Sequence, residues 1–313
     1  MTDGETSSRT SVAVYACTYQ RNEPLRNLLR ALTITAKRAE DVAAVGVVIV
    51  DDNPDGCAKH VVDEFDGAFE LGIHYRHIGA RNISIARNRG LAAAMEIADW
   101  VAMTDDDCEP TPEWIAALVD VQRRTGAGAV SGPLELRVPP GSPAWLTEQP
   151  FLESGTMRYP DGIAITTAAT HNSMISAAFL RSHPEIRFDP DLGTVGGEDM
   201  VFFRRAATAG LTIHFSAQAI VEAVEPPSRA TLRHQLRVHL WLGNTESVTN
   251  RETGAARSGR LFMRGGNSLR RALMRPFIRL ARHESPQWRY CLASVMQAFG
   301  LLAGAAGIRI RHH

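Results

Sequence analysis

Apolar and polar positions along the first 125 residues predict strands and helices in turn. Ser11–Cys17 (SVAVYAC) is a charge-free run of β-branched, aromatic and small residues, the pattern of a strand buried on both faces. After a polar turn, Pro24 suits a first helical position, and Leu25, Leu28, Leu29 and Leu32 recur at the three-and-four spacing of one helical face. Val45–Val50 (VGVVIV) predicts a second buried strand, ended by Asp51, Asp52, Asn53 and the turn-forming Pro54-Asp55-Gly56. Gly72–His77 reads as a strand, Ile83–Ala98 as an alanine-rich helix, Trp100–Met103 as a strand running into Asp105-Asp106-Asp107, and Pro112–Arg124 as a helix. This alternation predicts an α/β, Rossmann-like domain with a mostly parallel central sheet and helices on both faces, its ligands lying outside the carboxyl ends of the strands. The acids sit at those ends.

Between Val138 and Asp161 the chain is rich in Pro and Gly and shows no period, the composition of an excursion from the sheet. Regularity returns at Asn172–Leu180, and Gly196-Gly197-Glu198-Asp199 opens a predicted helix from Met200 to Ala209. From Arg229 onward the pattern is helical. The length supports a large buried core, and a formal net charge of +0 gives no reason to expect a nucleic-acid partner. Cys17, Cys57, Cys108 and Cys291 lack zinc-type spacing, so free thiols and a cytoplasmic setting are expected. The polar start, residues 1–10, reads as a disordered tail without signal-peptide character. The apolar segment Cys291–Gly307 is shorter than the roughly 20 residues a spanning helix needs.

Three carboxylates in one tight turn repel one another unless something neutralises them. Mn²⁺ or Mg²⁺ with a diphosphate would, since these cations take oxygen ligands and share them between carboxylates and phosphates. Alternation along an extended turn puts Asp105 and Asp107 on one side and turns Asp106 away. The competing reading is a solvated acidic loop. In the Gly-Gly-Glu-Asp segment, the glycines would let backbone approach a ligand closely, and Asp199 would act as a general base toward an acceptor hydroxyl with Glu198 in support. The plainer reading makes both acids favourable partners of a helix dipole. Thr18, Tyr19, Arg21 and Glu23 follow the first strand and Asp51 and Asp52 the second, where they would hold a nucleobase and ribose or simply fold their loops. Arg87 and Asn88 would reach a diphosphate and ribose.

Taken together, the stretches ACTYQRNEPLRNLLRAL, VVIVDDNPDG, ARNISIARNRGL, DWVAMTDDDCEP and HNSMISAAFLRSHPEIRFDPDLGTVGGEDMVFFRRAATAG resemble, in order, the family-2 glycosyltransferases of GT-A fold, over roughly residues 11–225. The resemblance implies a metal-dependent, inverting enzyme that moves a sugar from a nucleoside-diphosphate sugar, a UDP-sugar foremost, to a hydroxyl of a glycan, a lipid-linked glycan or a natural product. It implies that Thr18 and Tyr19 contact the nucleoside, that Asp51 or Asp52 binds the base, that Asp105 and Asp107 hold the metal with Asp107 first, and that Asp199 is the base. Asp105 and Asp106 also count among the donor-binding residues. Residues 11–228 would form the GT-A domain, with a nucleotide-sugar half at 11–110 and an acceptor half at 111–228, and residues 229–313 a helical region.

Two departures stand out. Many relatives place a metal-binding His after the Glu-Asp pair, yet Ile220–Pro226 contains none. Processive relatives carry QxxRW, whereas this chain reads His234-Gln235-Leu236-Arg237-Val238-His239 with Trp241 late, so transfer of single sugars is expected. His239 is read either as an acceptor contact or as a solvated helical residue. Rival readings are a sugar nucleotidyltransferase, disfavoured by the glycine-free turn after strand one, and a non-catalytic nucleotide- or sugar-binding module. The arginine-dense arm at 251–313 leaves three roles open: peripheral contact with the cytoplasmic face of a membrane, a homodimer contact, or internal packing.

Overall fold

The computed structural model describes residues 9–152 and 157–311. The expected tail therefore lies, for residues 1–8, outside the described residues, as do 153–156 of the excursion and the last two residues of the arm.

In chain order the elements are β1 (Thr10–Thr18), α1 (Asn22–Arg38), β2 (Ala43–Asp51), α2 (Lys59–Asp63), β3 (Ile73–His77), α3 (Ile83–Ile97), β4 (Trp100–Met103), β5 (Cys108–Pro110), α4 (Trp114–Thr125), β6 (Ala129–Ser131) and β7 (Leu134–Arg137). Then come α5 (Ala144–Glu148), β8 (Ala164–Ile165), β9 (Ser173–Ser176), α6 (Ala177–Ser182), α7 (Glu198–Thr208), β10 (Ile213–Phe215), β11 (Val221–Val224), α8 (Leu232–Glu252), α9 (Ser258–Ala281) and α10 (Trp288–Ala305). They fall into two compact units. The first comprises Met1–Glu135, Met157–Pro190 and Phe202–Ala223, the second Leu136–Thr156, Asp191–Val201 and Val224–His313.

The first unit holds an eight-stranded sheet of order β3-β2-β1-β4-β9-β6-β10-β8. Strands β3, β2, β1 and β4 are mutually parallel, so the tips of β1, β2 and β4 end at one edge. Period-two alternation sends Val12, Val14 and Ala16 of β1 into one core with α1 and α4, and Ala13 and Tyr15 into another with α3 and α7. Helices thus cover both faces, as the buried strand pattern predicts. Gly90 shows how close α3 lies to β1: a Cβ there would fall 2.5 Å from the Tyr15 ring. Strand β9 runs antiparallel to both β4 and β6. A mostly parallel sheet admits this exception: β9 follows a long excursion and re-enters the sheet from the opposite end, so the crossover rule for parallel strands does not govern it. A smaller sheet runs β5-β11-β7.

A buried polar staple closes this unit. The Asn172 side chain accepts from Trp114 Nε1 at 2.8 Å and donates to the carbonyls of Pro133 and Ala219 at 2.8 and 2.7 Å.

The second unit is helical. Its largest interface is α8 on α10, where bare backbone meets backbone: a Cβ on Gly300 would lie 1.9 Å from the Leu240 carbonyl oxygen and one on Gly243 2.0 Å from that of Gln297. His239 of α8 is 1% exposed and donates from Nδ1–H to the Gln235 carbonyl, 2.8 Å away. Its ring sits edge-on to Phe151 and Tyr290. The exposed-helix reading of this histidine is therefore corrected: the aromatic cage encloses it. Burial lowers its pKa from the ordinary 6.5. A depressed folded-state pKa gives stability that is present above the unfolded value and lost as pH falls through the folded one. We expect thermal melts at decreasing pH below 6.5 to fall more steeply for the parent than for His239→Phe; equal slopes would show that this histidine does not carry the acid sensitivity.

Candidate active site

At the carboxyl edge of the first unit's sheet, parallel pairing brings the acids at or just beyond the tips of β2 and β4 to the two sides of β1. β4 ends at Met103, and in the turn that follows Thr104 and Asp106 are buried while Asp105 and Asp107 are partly exposed. The predicted alternation is present in exposure, whereas the expected facing of Asp105 and Asp107 to one side is not what the contacts record: one arginine holds Asp106 and Asp107 and another holds Asp105. Arg21 reaches in from the turn before α1, its Nη1 lying 3.1 Å from Asp106 Oδ1 and 2.8 Å from Asp107 Oδ2. Arg87 of α3 approaches Asp105 Oδ1 at 3.2 Å and lies over the Phe188 ring at 5.7 Å. Two guanidinium groups therefore offset three carboxylates, which is how the turn tolerates them. Burial pushes the Asp106 carboxyl up to about 7 against the opposing pull of Arg21. Burial also raises the Cys17 and Cys108 thiols, so neither supplies a thiolate here.

The acids at the tip of β2 are occupied with loop construction. Asp51 accepts from the backbone N–H of Asn53 and Ala58 and from the Tyr75 hydroxyl. Asp52 accepts from the N–H groups of Ala80, Arg81 and Asn82 at 2.7–2.8 Å. That grip holds Arg81 at φ +53°, a left-handed conformation uncommon outside glycine. Thr18 is buried and Tyr19 stands 40% exposed at the rim of the same edge. Glu23, in the first turn of α1, pairs with Arg26 instead of facing the triplet. Asn88 exchanges both hydrogen bonds of its amide with the Phe188 backbone at 2.8 and 2.9 Å, anchoring the segment under Arg87. Arg21, whose role beside the triplet the sequence does not single out, is the member most easily missed. The one available signal is a basic residue between a strand tip and a helix start.

The donor set suits a divalent cation in part. Asp105 and Asp107, both partly exposed in one turn, would offer two carboxylates, the number that Mg²⁺ or Mn²⁺ commonly takes alongside phosphate oxygens. Among the described residues no three His, Cys, Asp or Glu side chains gather as a complete site. Where a downstream His was sought, β11 pairs with β5, setting Glu222 opposite Glu109 and Ala223 opposite Cys108.

The second unit carries Glu198 and Asp199. Helix α7 begins at Glu198, two residues earlier than the apolar period alone predicts, so both acids lie in its first turn. Glu198 is buried and Asp199 partly exposed; Asp199 Oδ1 accepts from the Met200 N–H at 2.7 Å. The glycines before them have φ of +94° and +86°. A Cβ on Gly196 would strike the Trp241 indole at 2.3 Å, and one on Gly197 would meet Thr245 at 2.6 Å. Trp241 in turn donates from Nε1 to the Val195 carbonyl at 2.7 Å. The expectation that these glycines clear space for a ligand is corrected: they clear space for α8, and Trp241, late for a QxxRW signature, braces the turn that presents the acids.

Acids at the carboxyl edge of the sheet, two of them partly exposed in the turn after β4, make this edge the candidate site of the first unit. The model of "Glycosyl transferase family 2" matches residues 13–183, and this chain belongs to that family. It is 30% identical over 304 residues to the succinoglycan biosynthesis protein ExoM of Rhizobium meliloti (strain 1021), covering 95% of this chain and 94% of the relative. A glucosyl-dolichyl phosphate glucuronosyltransferase of Haloferax volcanii is 30% identical over 142 residues, 44% of this chain and 41% of that one. Among solved structures, S. aureus TarS 1-349 in complex with UDP-GlcNAc has a TM-score of 0.54 at 14% identity, with 96% of this chain and 93% of that one covered; its complex with UDP gives 0.53. At that identity the likeness establishes the fold. Family membership makes the chain a glycosyltransferase and sets aside the nucleotidyltransferase and the non-catalytic binder.

Proposed function

We propose that the enzyme transfers a single sugar from a nucleoside-diphosphate sugar, a UDP-sugar first, to a hydroxyl of a glycan-type acceptor with inversion at the anomeric carbon. The observation that carries this reading is the turn after β4, which exposes Asp105 and Asp107 together between Arg21 and Arg87. A diphosphate has the charge and oxygen chemistry that such a set would accept. The TarS complexes with UDP and UDP-GlcNAc support the donor class. ExoM, named for succinoglycan biosynthesis, supports a glycan acceptor.

In this reading Tyr19 and Thr18 flank the nucleoside. Each β2-tip carboxylate has lone pairs beyond the three bonds described above, and Asp52, at 6% exposure against 0% for Asp51, is the better placed to read a base. A divalent cation held by Asp105 and Asp107 would share the diphosphate's negative charge and ease its departure. Asp199 takes the proton of the acceptor hydroxyl as that oxygen forms its bond to the anomeric carbon, while the bond from that carbon to the diphosphate oxygen breaks and the nucleoside diphosphate leaves. Glu198, in the same turn, positions Asp199 or the acceptor. The four free cysteines favour a reducing, cytoplasmic setting.

The test is a panel of nucleotide sugars with the full-length enzyme, following nucleotide release and then the anomeric configuration of the product. Release from one or more UDP-sugars with inversion is expected; a product that keeps the donor's configuration would overturn the single-displacement assignment.

A further inference from the structure

We propose that α9 docks the enzyme on an anionic lipid bilayer, its outer apolar stripe entering the headgroup–acyl boundary and its arginines meeting lipid phosphates. The inference stands independently of the transfer reaction. Helix α9 contains six arginines and no acid, and residues 251–311 carry twelve arginines against two glutamates in a chain of zero net charge. The excess positive charge is thus concentrated on one part of the molecule.

The inner face of α9 is accounted for. Leu261, Gly265 and Ala272 are buried, and Gly265 packs so closely on α10 that a Cβ would lie 2.6 Å from Leu302. The outer face is apolar and uncovered: Met263 is 69% exposed, Phe277 65%, Leu280 55% and Leu273 53%. At about 100° per residue, the exposed Phe262, Met263, Leu273, Met274, Phe277 and Leu280 fall within a sector of about 120° that also holds Arg270, and Arg260, Arg271 and Arg264 begin about 40° beyond its edge. That is the layout of a helix lying in a membrane interface, with large apolar side chains on one face and cations at its edge. Next to the stripe, Arg270, Arg271, Arg275, Arg279 and Arg282 line a groove of about 660 Å³ in which Glu284 is the one acid. Glu284 pairs with Arg279 at 3.1 Å, while Arg270, Arg271 and Arg282 make no ion pair among the described residues. Groove and stripe together match a phosphate-bearing apolar surface. A second copy of the chain is the poorer occupant, because two such basic faces would repel each other.

Flotation of the full-length protein with phosphatidylcholine vesicles, with and without phosphatidylglycerol, tests this. Binding is expected on the anionic vesicles, roughly tenfold or more tighter than on neutral ones and weakened by salt. Leu273→Asp with Phe277→Asp should abolish it, and Arg270→Glu with Arg271→Glu should remove the preference for anionic lipid. Both pairs are exposed, so melting temperatures should stay at the parental value; if the apolar pair melts early, the arginine pair carries the test. Equal binding to both vesicle types, no binding at all, or a dimer in light scattering that the Leu273/Phe277 variant converts to monomer would each overturn the proposal.

Discussion

Replacing Asp199 by Asn is expected to lower the rate of transfer to acceptor by roughly 10²–10⁴-fold, the range that a positioned general base contributes. Nucleotide-sugar affinity should stay within about twofold of the parent, because a base acting on the acceptor hydroxyl is needed for the transition state and not for holding the donor. The amide keeps the shape of the side chain and a carbonyl oxygen able to accept from the Met200 N–H, the bond that Asp199 Oδ1 makes at 2.7 Å. Helix start and packing should therefore survive, and the loss should be one of proton acceptance. Steady-state kinetics on the acceptor side with calorimetry on the donor side separate the two quantities. Transfer by Asp199→Asn at the parental rate would remove the base assignment.

The second large effect concerns stability. Asn172→Ala should cost about 3 kcal/mol, since it leaves two buried groups unsatisfied at about 1–3 kcal/mol each, the Trp114 indole N–H and the Ala219 carbonyl, and removes one of two bonds from the Pro133 carbonyl, which still accepts from the Val221 N–H. The neighbourhood cannot collapse to fill the gap easily, because Gly132 already touches the Ala219 carbonyl oxygen so closely that a Cβ would sit 2.1 Å from it. A fall in melting temperature of about 10 °C is the corresponding expectation for a unit of this size. Urea melts that place the cost below about 1 kcal/mol would show that these bonds add little beyond what water offers in the unfolded chain.

How much of this was legible in the residues depends on the range over which each feature is determined. β1 and β2 are legible because burial on both faces leaves a charge-free run that no amphipathic element shows. The exposure of Asp105 and Asp107 with Asp106 turned inward follows from the period of an extended turn. By contrast, the direction of β9 is set by where the chain re-enters the sheet, which no local pattern records. Asn172 looks like any polar residue until partners 39 to 58 positions away are folded around it. His239 has the flanks of a solvated helix residue, and only Phe151 and Tyr290 make it a buried one. Gly196 and Gly197 carry the same ambiguity: glycine says that a Cβ is not tolerated, without saying whether a ligand or Trp241 forbids it. Arg21 joins the triplet through a turn whose non-glycine Gln20 takes φ +55°, a conformation that its residue type does not announce.

The central claim, that the aspartates after β4 bind a nucleoside-diphosphate sugar through a cation, is tested most directly by donor affinity. UDP and UDP-GlcNAc should be titrated into the parent and into Asp105→Asn/Asp107→Asn, each with Mn²⁺ and with chelator. The account predicts that chelator weakens binding to the parent by roughly tenfold or more, about 1.4 kcal/mol, and that the double variant binds weakly and ignores the metal. Donor affinity that is the same in all four conditions would contradict it.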